Sequence, residues 1–292
     1  MDERERLAER FEEQRPHLRA VAYRMLGSLS EADDAVQEAW LRLSGTDSSA
    51  VENLAGWLTT VVARICLNML RSRQQRGEEP LEGRLPDPII SREDGGDPEQ
   101  EALLANSVGL ALLVVLDTLA PAERLSFVLH DMFGVPFDEI APIIERTPAA
   151  ARQLASRGRR RVHGQVPAPD PDLARQREVV NAFFAAAREG NFGRLVAVLD
   201  PDVAEWVDVG LAAGGLLTMR GSENVASRAL RYTQLAALVR PALINGTAGV
   251  VVVMDGQVFS VMAFTVTNGK IVAMHIFRDP ERLANIDPAV LD

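Results

Sequence analysis

Two proline- and glycine-rich interruptions decide how this chain can be built. Residues 80–102 contain Pro80, Pro86, Pro88 and Pro98 together with Gly83, Gly95 and Gly96, and residues 165–171 read Gln-Val-Pro-Ala-Pro-Asp-Pro. Proline lacks an N–H and pushes the residue before it out of the helical region, so no continuous helix crosses either stretch. The 292 residues therefore divide into blocks 1–79, 103–165 and 172–292, with 80–102 as a flexible linker and 166–171 as a hinge. A chain of this length suits two or three modules. The first two blocks show helical spacing of apolar residues. The third begins with two helices and continues with β-rich segments at 249–254, 258–267 and 271–277, the last two separated by the hairpin dipeptide Asn268-Gly269.

Composition narrows the function classes. Hydrophobic residues make up 47% and charged residues 25% of the chain, as in ordinary globular proteins. Cys66 is the only cysteine, which excludes an intramolecular disulfide and any multi-cysteine zinc site. No metal or other cofactor is expected. The N-terminus is too charged for a secretory signal, and the apolar runs around 110–116 and 250–254 are too short to span a bilayer. These features predict a cytoplasmic protein without membrane contact. The net charge of −10 is unevenly placed: residues 81–114 carry a local net charge of −5, whereas no acid lies between Glu145 and Asp170. That gap holds Arg146, Arg152, Arg157, Arg159, Arg160 and Arg161, a local field suited to phosphates.

In the first block, Leu18, Val21, Ala22, Met25 and Leu26 form a helical stripe broken at Gly27-Ser28. Ser30 is the expected cap of the next helix, with Asp33 at its N3 position. That helix gathers Asp33, Asp34, Gln37 and Glu38 on one face, either a solvated acidic surface or a docking surface. A third helix, from about 54 to 73, has a core stripe of Leu58, Val62, Ile65 and Met69. Trp57, Arg64, Asn68 and Arg71 fall on another face, where they can stack on and hydrogen-bond an unpaired base, or else pack and solvate an ordinary helix.

In the second block, Pro121 suits a first helical turn. A short helix from Phe137, a turn at Glu145-Arg146-Thr147 and a basic helix opening Thr147-Pro148-Ala149 give a helix-turn-helix layout. Thr147 is the expected N-cap. Arg152, Gln153, Ser156 and Arg157 occupy the exposed positions for base reading, and Arg159 and Arg160 those for phosphates. The same basic helix end could instead serve only its own dipole.

The stretch 22–42, Ala-Tyr-Arg-Met-Leu-Gly-Ser-Leu-Ser-Glu-Ala-Asp-Asp-Ala-Val-Gln-Glu-Ala-Trp-Leu-Arg, closely resembles region 2 of the sigma-70 family of bacterial transcription initiation factors, and 137–162 resembles region 4. The small size points to the extracytoplasmic-function group. The linker run Arg84-Leu85-Pro86-Asp87-Pro88 and the tail run Asp279-Pro280-Glu281-Arg282-Leu283 are similar to motifs of the subgroup carrying a C-terminal SnoaL-like domain. The resemblance implies two all-α sigma domains, a region 2 helical bundle and a region 4 helix-turn-helix, followed by an α+β SnoaL-like cone. It implies an alternative sigma factor rather than an enzyme, with core RNA polymerase and promoter DNA as partners. Asp33, Asp34, Gln37 and Glu38 would then bind core polymerase, and Asn53, Trp57, Arg64, Asn68 and Arg71 the −10 strand. Thr147, Arg152, Gln153, Ser156, Arg157, Arg159 and Arg160 would bind the −35 duplex. Leu85, Pro86, Asp279, Pro280 and Leu283 become the expected regulatory contacts of the cone.

Pro142 and Gly158 depart from the region 4 pattern, and the loop 208–215 lacks the lysine usual in the subgroup. In the cone, Glu205, Asp208, Tyr232 and His275 are the candidates for a pocket holding an unidentified small-molecule ligand. Two alternatives remain open from these residues: a small-molecule sensor, or an isomerase- or cyclase-type enzyme fused to DNA-binding helices. An enzyme of that kind needs a carboxylate base and an oxyanion donor facing the same cavity.

Overall fold

Gly27, with φ of +72°, takes the left-handed conformation that ends the first helix, and the chain re-enters helix two residues later. The computed structural model describes residues 3–45, 53–76, 84–92, 109–165, 168–286 and 288. They fall into two compact units, one made of residues 1–80, 101–106 and 113–165, the other of 81–100, 107–112 and 166–292.

The first unit contains α1 (Glu3–Leu26), α2 (Leu29–Ser44) and α3 (Leu54–Gln75), then α4 (Gly109–Asp117), whose last turns belong to it, α5 (Pro121–Phe127), α6 (Phe137–Ile143) and α7 (Pro148–Gln165). The expected stripe Leu18, Val21, Ala22, Met25 and Leu26 is buried, as are Leu58, Val62 and Ile65 of α3; Met69 is half-buried. Ser28, not Ser30, caps α2: its backbone is extended and its hydroxyl accepts from the Glu31 amide. The cap falls there because Gly27 stops α1 immediately before it. Buried Cys66 has its thiol pushed up to about 12 by burial, which keeps it protonated.

Buried Arg124 ties the two halves of this unit together. Its Nη1 donates to Asp117 at 2.5 Å and its Nε to the Arg24 carbonyl at 3.2 Å. Beside it the Arg24 guanidinium lies over Phe133, and His17 meets the same ring edge-on. A single π-helical turn, Val128–Met132, continues α5 and brings the chain to Phe133.

Both departures from the expected helix-turn-helix pattern have local explanations. Pro142 lies exposed in the last turn of α6, so it shortens that helix rather than breaking a long one. A Cβ on Gly158 would lie 3.0 Å from Phe127 Cβ and 3.5 Å from the Glu123 carbonyl. The glycine lets α7 approach α5, and Ala151, Ala155 and Val162 bury the rest of that side.

The second unit is an α+β cone. Helices α8 (Leu173–Arg188) and α9 (Phe192–Val198) precede β2 (Leu199–Asp208) and β3 (Leu216–Arg220), α10 (Ser222–Leu230) follows, and β4 (Val239–Ile244), β5 (Thr247–Met254), β6 (Gln257–Thr267) and β7 (Lys270–Phe277) complete the hairpins before α11 (Pro280–Leu283). The sheet order is β1 (Ile90–Ser91)-β4-β5-β6-β7-β2-β3, antiparallel except for the β2/β7 pair. Asn245-Gly246, Asp255-Gly256 and Asn268-Gly269 make the three hairpin turns with every residue at positive φ. Phe183 and Phe184 of α8 pack with Val207, Phe264 and Met274 in the core between helices and sheet.

Two segments expected to be loose are strapped to this sheet. Residues 90–91 of the linker form the edge strand β1 (Ile90–Ser91), pairing with Ile244 and Leu243, and Ile89 exchanges hydrogen bonds with Asn245. At the end of the hinge, the Asp170 carboxylate accepts from the Asn268 and Gly269 amides at 2.9 Å each, which holds it below the usual carboxylate range. Both anchors use backbone groups exposed by the tight turns, a pairing that linker composition does not reveal.

Gly158→Ala tests the packing of α7. Alanine gains about 1 kcal/mol in helix propensity, but overpacking at a close backbone contact costs about 1–3 kcal/mol. The expected result is a lower denaturation midpoint, a net loss of about 1 kcal/mol by chemical denaturation.

Candidate functional site

Three helix faces of the first unit carry the expected DNA and polymerase residues. On α2, Asp33, Asp34 and Gln37 are exposed and Glu38 is half-buried. Arg19 grips the Asp33 carboxylate through Nε and Nη2 at 2.6 and 3.1 Å, and Arg42 holds Glu38 at 2.9 Å. The opposite side of α2, with Ala32, Ala35, Val36, Ala39 and Leu43, is buried. The helix is thus amphipathic, with its acids fixed on the outside.

On α3, Arg64 and Asn68 are exposed and Trp57 and Arg71 are half-buried. Their spacing of seven, four and three residues keeps all four on one side of the helix. Asn53 is the N-cap: its side chain accepts from the Gly56 amide at 3.0 Å. Its carbonyl oxygen is therefore occupied in shaping the start of α3.

On α7, Thr147 caps the helix by accepting from Ala150 at 3.2 Å. Arg152, Gln153, Arg157 and Arg160 are exposed and Ser156 is half-buried. Arg152 lies over the Phe137 ring, itself stacked on His130, so an aromatic column from α6 supports the start of the basic helix. Arg159 bonds Asp131 through Nε at 2.6 Å, and Arg161 and Arg157 approach Glu123 at 3.3 and 3.9 Å. The internal acids Asp131 and Glu123 thereby orient the basic side chains without neutralising the whole face.

The four pocket candidates of the cone separate by strand alternation. Glu205 and Tyr232 line an apolar cavity with Phe183, Phe184 and Met274. Asp208 and His275 do not. Met274 and Ile276 point into the cavity, so His275 between them points to the other face, where its ring stacks on Trp206 at 4.8 Å. Burial pushes the His275 imidazole down to about 4. Asp208, fully buried on the same far face, accepts at Oδ2 from the Leu85 amide at 3.0 Å and from Arg282 Nη1 at 2.5 Å, and at Oδ1 from the Gly210 amide at 3.1 Å. Arg282 also donates to Asp87 at 2.6 Å. Linker and tail therefore meet at one carboxylate. Among the other expected contacts, Leu85, Pro86, Asp279 and Leu283 are buried; Pro280 is exposed at the start of α11, which Asp279 caps.

Comparison with known proteins decides the family. Residues 10–76 match the Sigma-70 region 2 family and residues 109–162 the Sigma-70 region 4 family. Over 287 residues the chain is 38% identical to the ECF RNA polymerase sigma factor SigJ of Mycobacterium tuberculosis, covering 93% of this chain and 91% of that one. The chain belongs to the extracytoplasmic-function sigma factors. A probable ECF RNA polymerase sigma factor SigI from the same species is 34% identical over 276 residues, covering 92% of each chain. The crystal structure of M. tuberculosis SigJ superposes with a TM-score of 0.77 at 34% identity, covering 96% of this chain and 99% of that one. This sigma factor thus shares its full architecture, the cone included, with a solved relative. Its activity is promoter recognition and transcription initiation with core RNA polymerase. Among the described residues no helix is long and apolar enough to cross a membrane, and no three or more His, Cys, Asp or Glu side chains gather to hold a metal ion.

Sequence reasoning missed Arg228 and Arg278 in the cavity wall, and Arg124 and Asp131 in the first unit. Arg282 was visible only as part of the tail motif. An arginine's role depends on which distant carboxylate or carbonyl it meets, and helical or strand spacing carries no signal of that. For the turns the signal was available: Asn245-Gly246 and Asp255-Gly256 are the same type of dipeptide as Asn268-Gly269.

Two outcomes follow for the sigma factor. Arg282→Met leaves the buried Asp208 carboxylate without its cation and should destabilise the protein by about 3 kcal/mol. The double variant with Asp208→Asn should lose less than the sum of the two single variants in denaturant titrations. His275 has a folded-state value below its ordinary 6.5, so its contribution is complete above pH 6.5 and is lost as pH falls towards 4. That loss amounts to about 3 kcal/mol. Glu205, raised by burial, acts in the opposite direction in acid. The difference between wild type and His275→Phe across pH 6.5 to 4 isolates the histidine, and His275→Phe should show the flatter decline.

Proposed function

We propose that the sigma factor holds its promoter through two separate faces and that the cone controls it through the linker. The acidic face of α2, with Asp33, Asp34, Gln37 and Glu38, docks on core RNA polymerase. Trp57, Arg64, Asn68 and Arg71 of α3 capture unpaired bases of the −10 strand, with Asn53 shaping the entry of that helix. Each stacked base contributes about 1–3 kcal/mol, enough for melting without ATP. On α7, Arg152, Gln153, Ser156 and Arg157 read the −35 duplex, Thr147 presents the helix N-terminus to a phosphate, and Arg160 contacts the backbone. Arg159, tied to Asp131, steadies the helix on its phosphate side.

The observation that carries the promoter reading is the division of α7: Ala151, Ala155, Gly158 and Val162 are buried, and the basic and amide side chains lie opposite. The cis-regulatory reading rests on the strap. Residues 84–92, part of the segment joining regions 2 and 4, are bound to the cone through β1, Asn245 and the Asp208–Arg282 pair. The conformation of the linker is then set by the cone, and a small molecule in its cavity is the third partner.

In vitro transcription with core polymerase tests the whole reading; failure to bind core or to initiate from any cognate promoter refutes it. Arg152→Ala and Arg157→Ala should weaken −35 duplex binding by about 1–3 kcal/mol and relax specificity. Arg160→Ala should weaken all sequences evenly and flatten the salt dependence. Truncation after Phe277 should alter promoter output while core binding persists; unchanged output would remove the linker from the regulatory account.

A further inference from the structure

The cone holds a cavity open at its mouth, with the mostly apolar and aromatic walls typical of small-molecule sites. Its walls are Phe183, Phe184, Met262, Met274 and Ile276, with Phe259, Tyr232 and Arg278 around them. Arg278 lies over both the Phe259 and Tyr232 rings, at 4.7 and 5.2 Å, a cation–π pairing that occupies the guanidinium. One acid faces this apolar interior. Glu205 is 4% exposed, and its Oε2 has no hydrogen-bond partner; Arg228 approaches it at 3.4 Å as an ion pair without forming a hydrogen bond. A buried acceptor left unsatisfied costs about 1–3 kcal/mol, so the site is built to receive a donor.

The surrounding charges select the kind of donor. Arg228 and Arg278 line the cavity and Arg231 adds positive charge near the same carboxyl, so a cationic ligand meets two guanidinium groups in the wall against one acid. An anionic ligand meets the Glu205 carboxylate with its open lone pair. The apolar walls disfavour either charge. Burial also raises Glu205, which lessens the charge a neutral donor would have to share the cavity with. Phe183 and Phe184, edge to face at 5.3 Å, put aromatic surface in the wall, a surface that favours an aromatic ring in the ligand.

We propose that the cavity binds a neutral, ring-containing apolar molecule bearing a hydroxyl, whose O–H donates to Glu205 Oε2. The inference deepens the reading of the cone as a ligand-binding regulatory domain and rests on that reading for its biological meaning, but its chemistry is tested by binding alone.

The test is calorimetric titration of the full chain with 2-naphthol, 2-methoxynaphthalene and 2-naphthoate. These share one ring system and carry a donor, no donor and an anion respectively. The expected result is binding of 2-naphthol about tenfold tighter than the ether, with the carboxylate weakest. Glu205→Leu should abolish the preference by losing affinity for 2-naphthol alone. Glu205→Gln, which keeps a carbonyl acceptor and the side-chain volume, should retain an intermediate preference and serves if the leucine variant fails to fold. Equal binding of naphthol and ether, tightest binding of naphthoate, or no binding of any probe overturns the inference. Promoter output measured on the same samples separates the two readings. Discrimination by Glu205 without any change in output supports this inference and refutes ligand control. A truncation that changes output, in a protein that shows no naphthol preference, does the reverse.

Discussion

A carboxylate with no solvent exposure is tolerated only where donors surround it, and at Asp208 those donors come from the adjoining loop and from two distant parts of the chain. Leu85 of the linker, Gly210 of the following loop and Arg282 of the tail all converge there. None can leave without exposing the charge to an apolar environment. The local sequence is shaped to match. Gly210 adopts a φ of +81°, and a Cβ there would lie 2.8 Å from the Asp279 carboxyl carbon, so the loop closes over the tail only with glycine. Arg282 then bridges Asp208 to Asp87, and one guanidinium joins strand, tail and linker.

Arg124 is the counterpart in the first unit. Its guanidinium reaches from region 4 to the Arg24 carbonyl of region 2, with Asp117 supplying the charge. Nothing on the exposed basic side of α7 is used in this contact, and the exposed faces of α2 and α3 stay outside it. The first unit is therefore held by a buried arginine while its working surfaces remain solvated. A sigma factor needs that separation, because the residues that bind DNA or polymerase are too polar to supply a core.

The parts of this architecture legible in the sequence are those governed by short-range rules. Helical spacing located α1, α3 and α7; Pro121 and Thr147 opened their helices as expected; Asn268-Gly269 turned a hairpin. The exposed polar faces of α2, α3 and α7 could be written down because helix geometry places residues three, four and seven apart together, while their proposed roles rest on the resemblance to sigma regions 2 and 4. The rest depended on long-range pairings. Strand β1 is two residues long and is a strand only because β4 offers it an edge. Glu205 and Asp208 looked like equivalent acids near one cavity, yet their odd spacing puts them on opposite faces of β2, and His275 follows Asp208 for the same reason.

That alternation has a mechanical consequence. Glu205 and Asp208 lie three residues apart on β2, facing the cavity and the linker respectively, and both are registered against β7 through Met274 and Phe277. Whatever shifts β2 from the cavity side acts on a strand whose other face holds the linker. Coupling between two such faces requires an element with two accessible arrangements, not proximity alone. The central strands, paired on both edges, are poor candidates. Strand β1 pairs through two residues at the sheet edge, supported by the Ile89–Asn245 exchange and the Asp208 cluster. A two-residue edge strand opens at a lower local cost than a central strand paired on both sides. On the proposed reading of the cone as a ligand-binding domain, the linker strap is the element whose population such a ligand would change, and it is also the segment that joins regions 2 and 4.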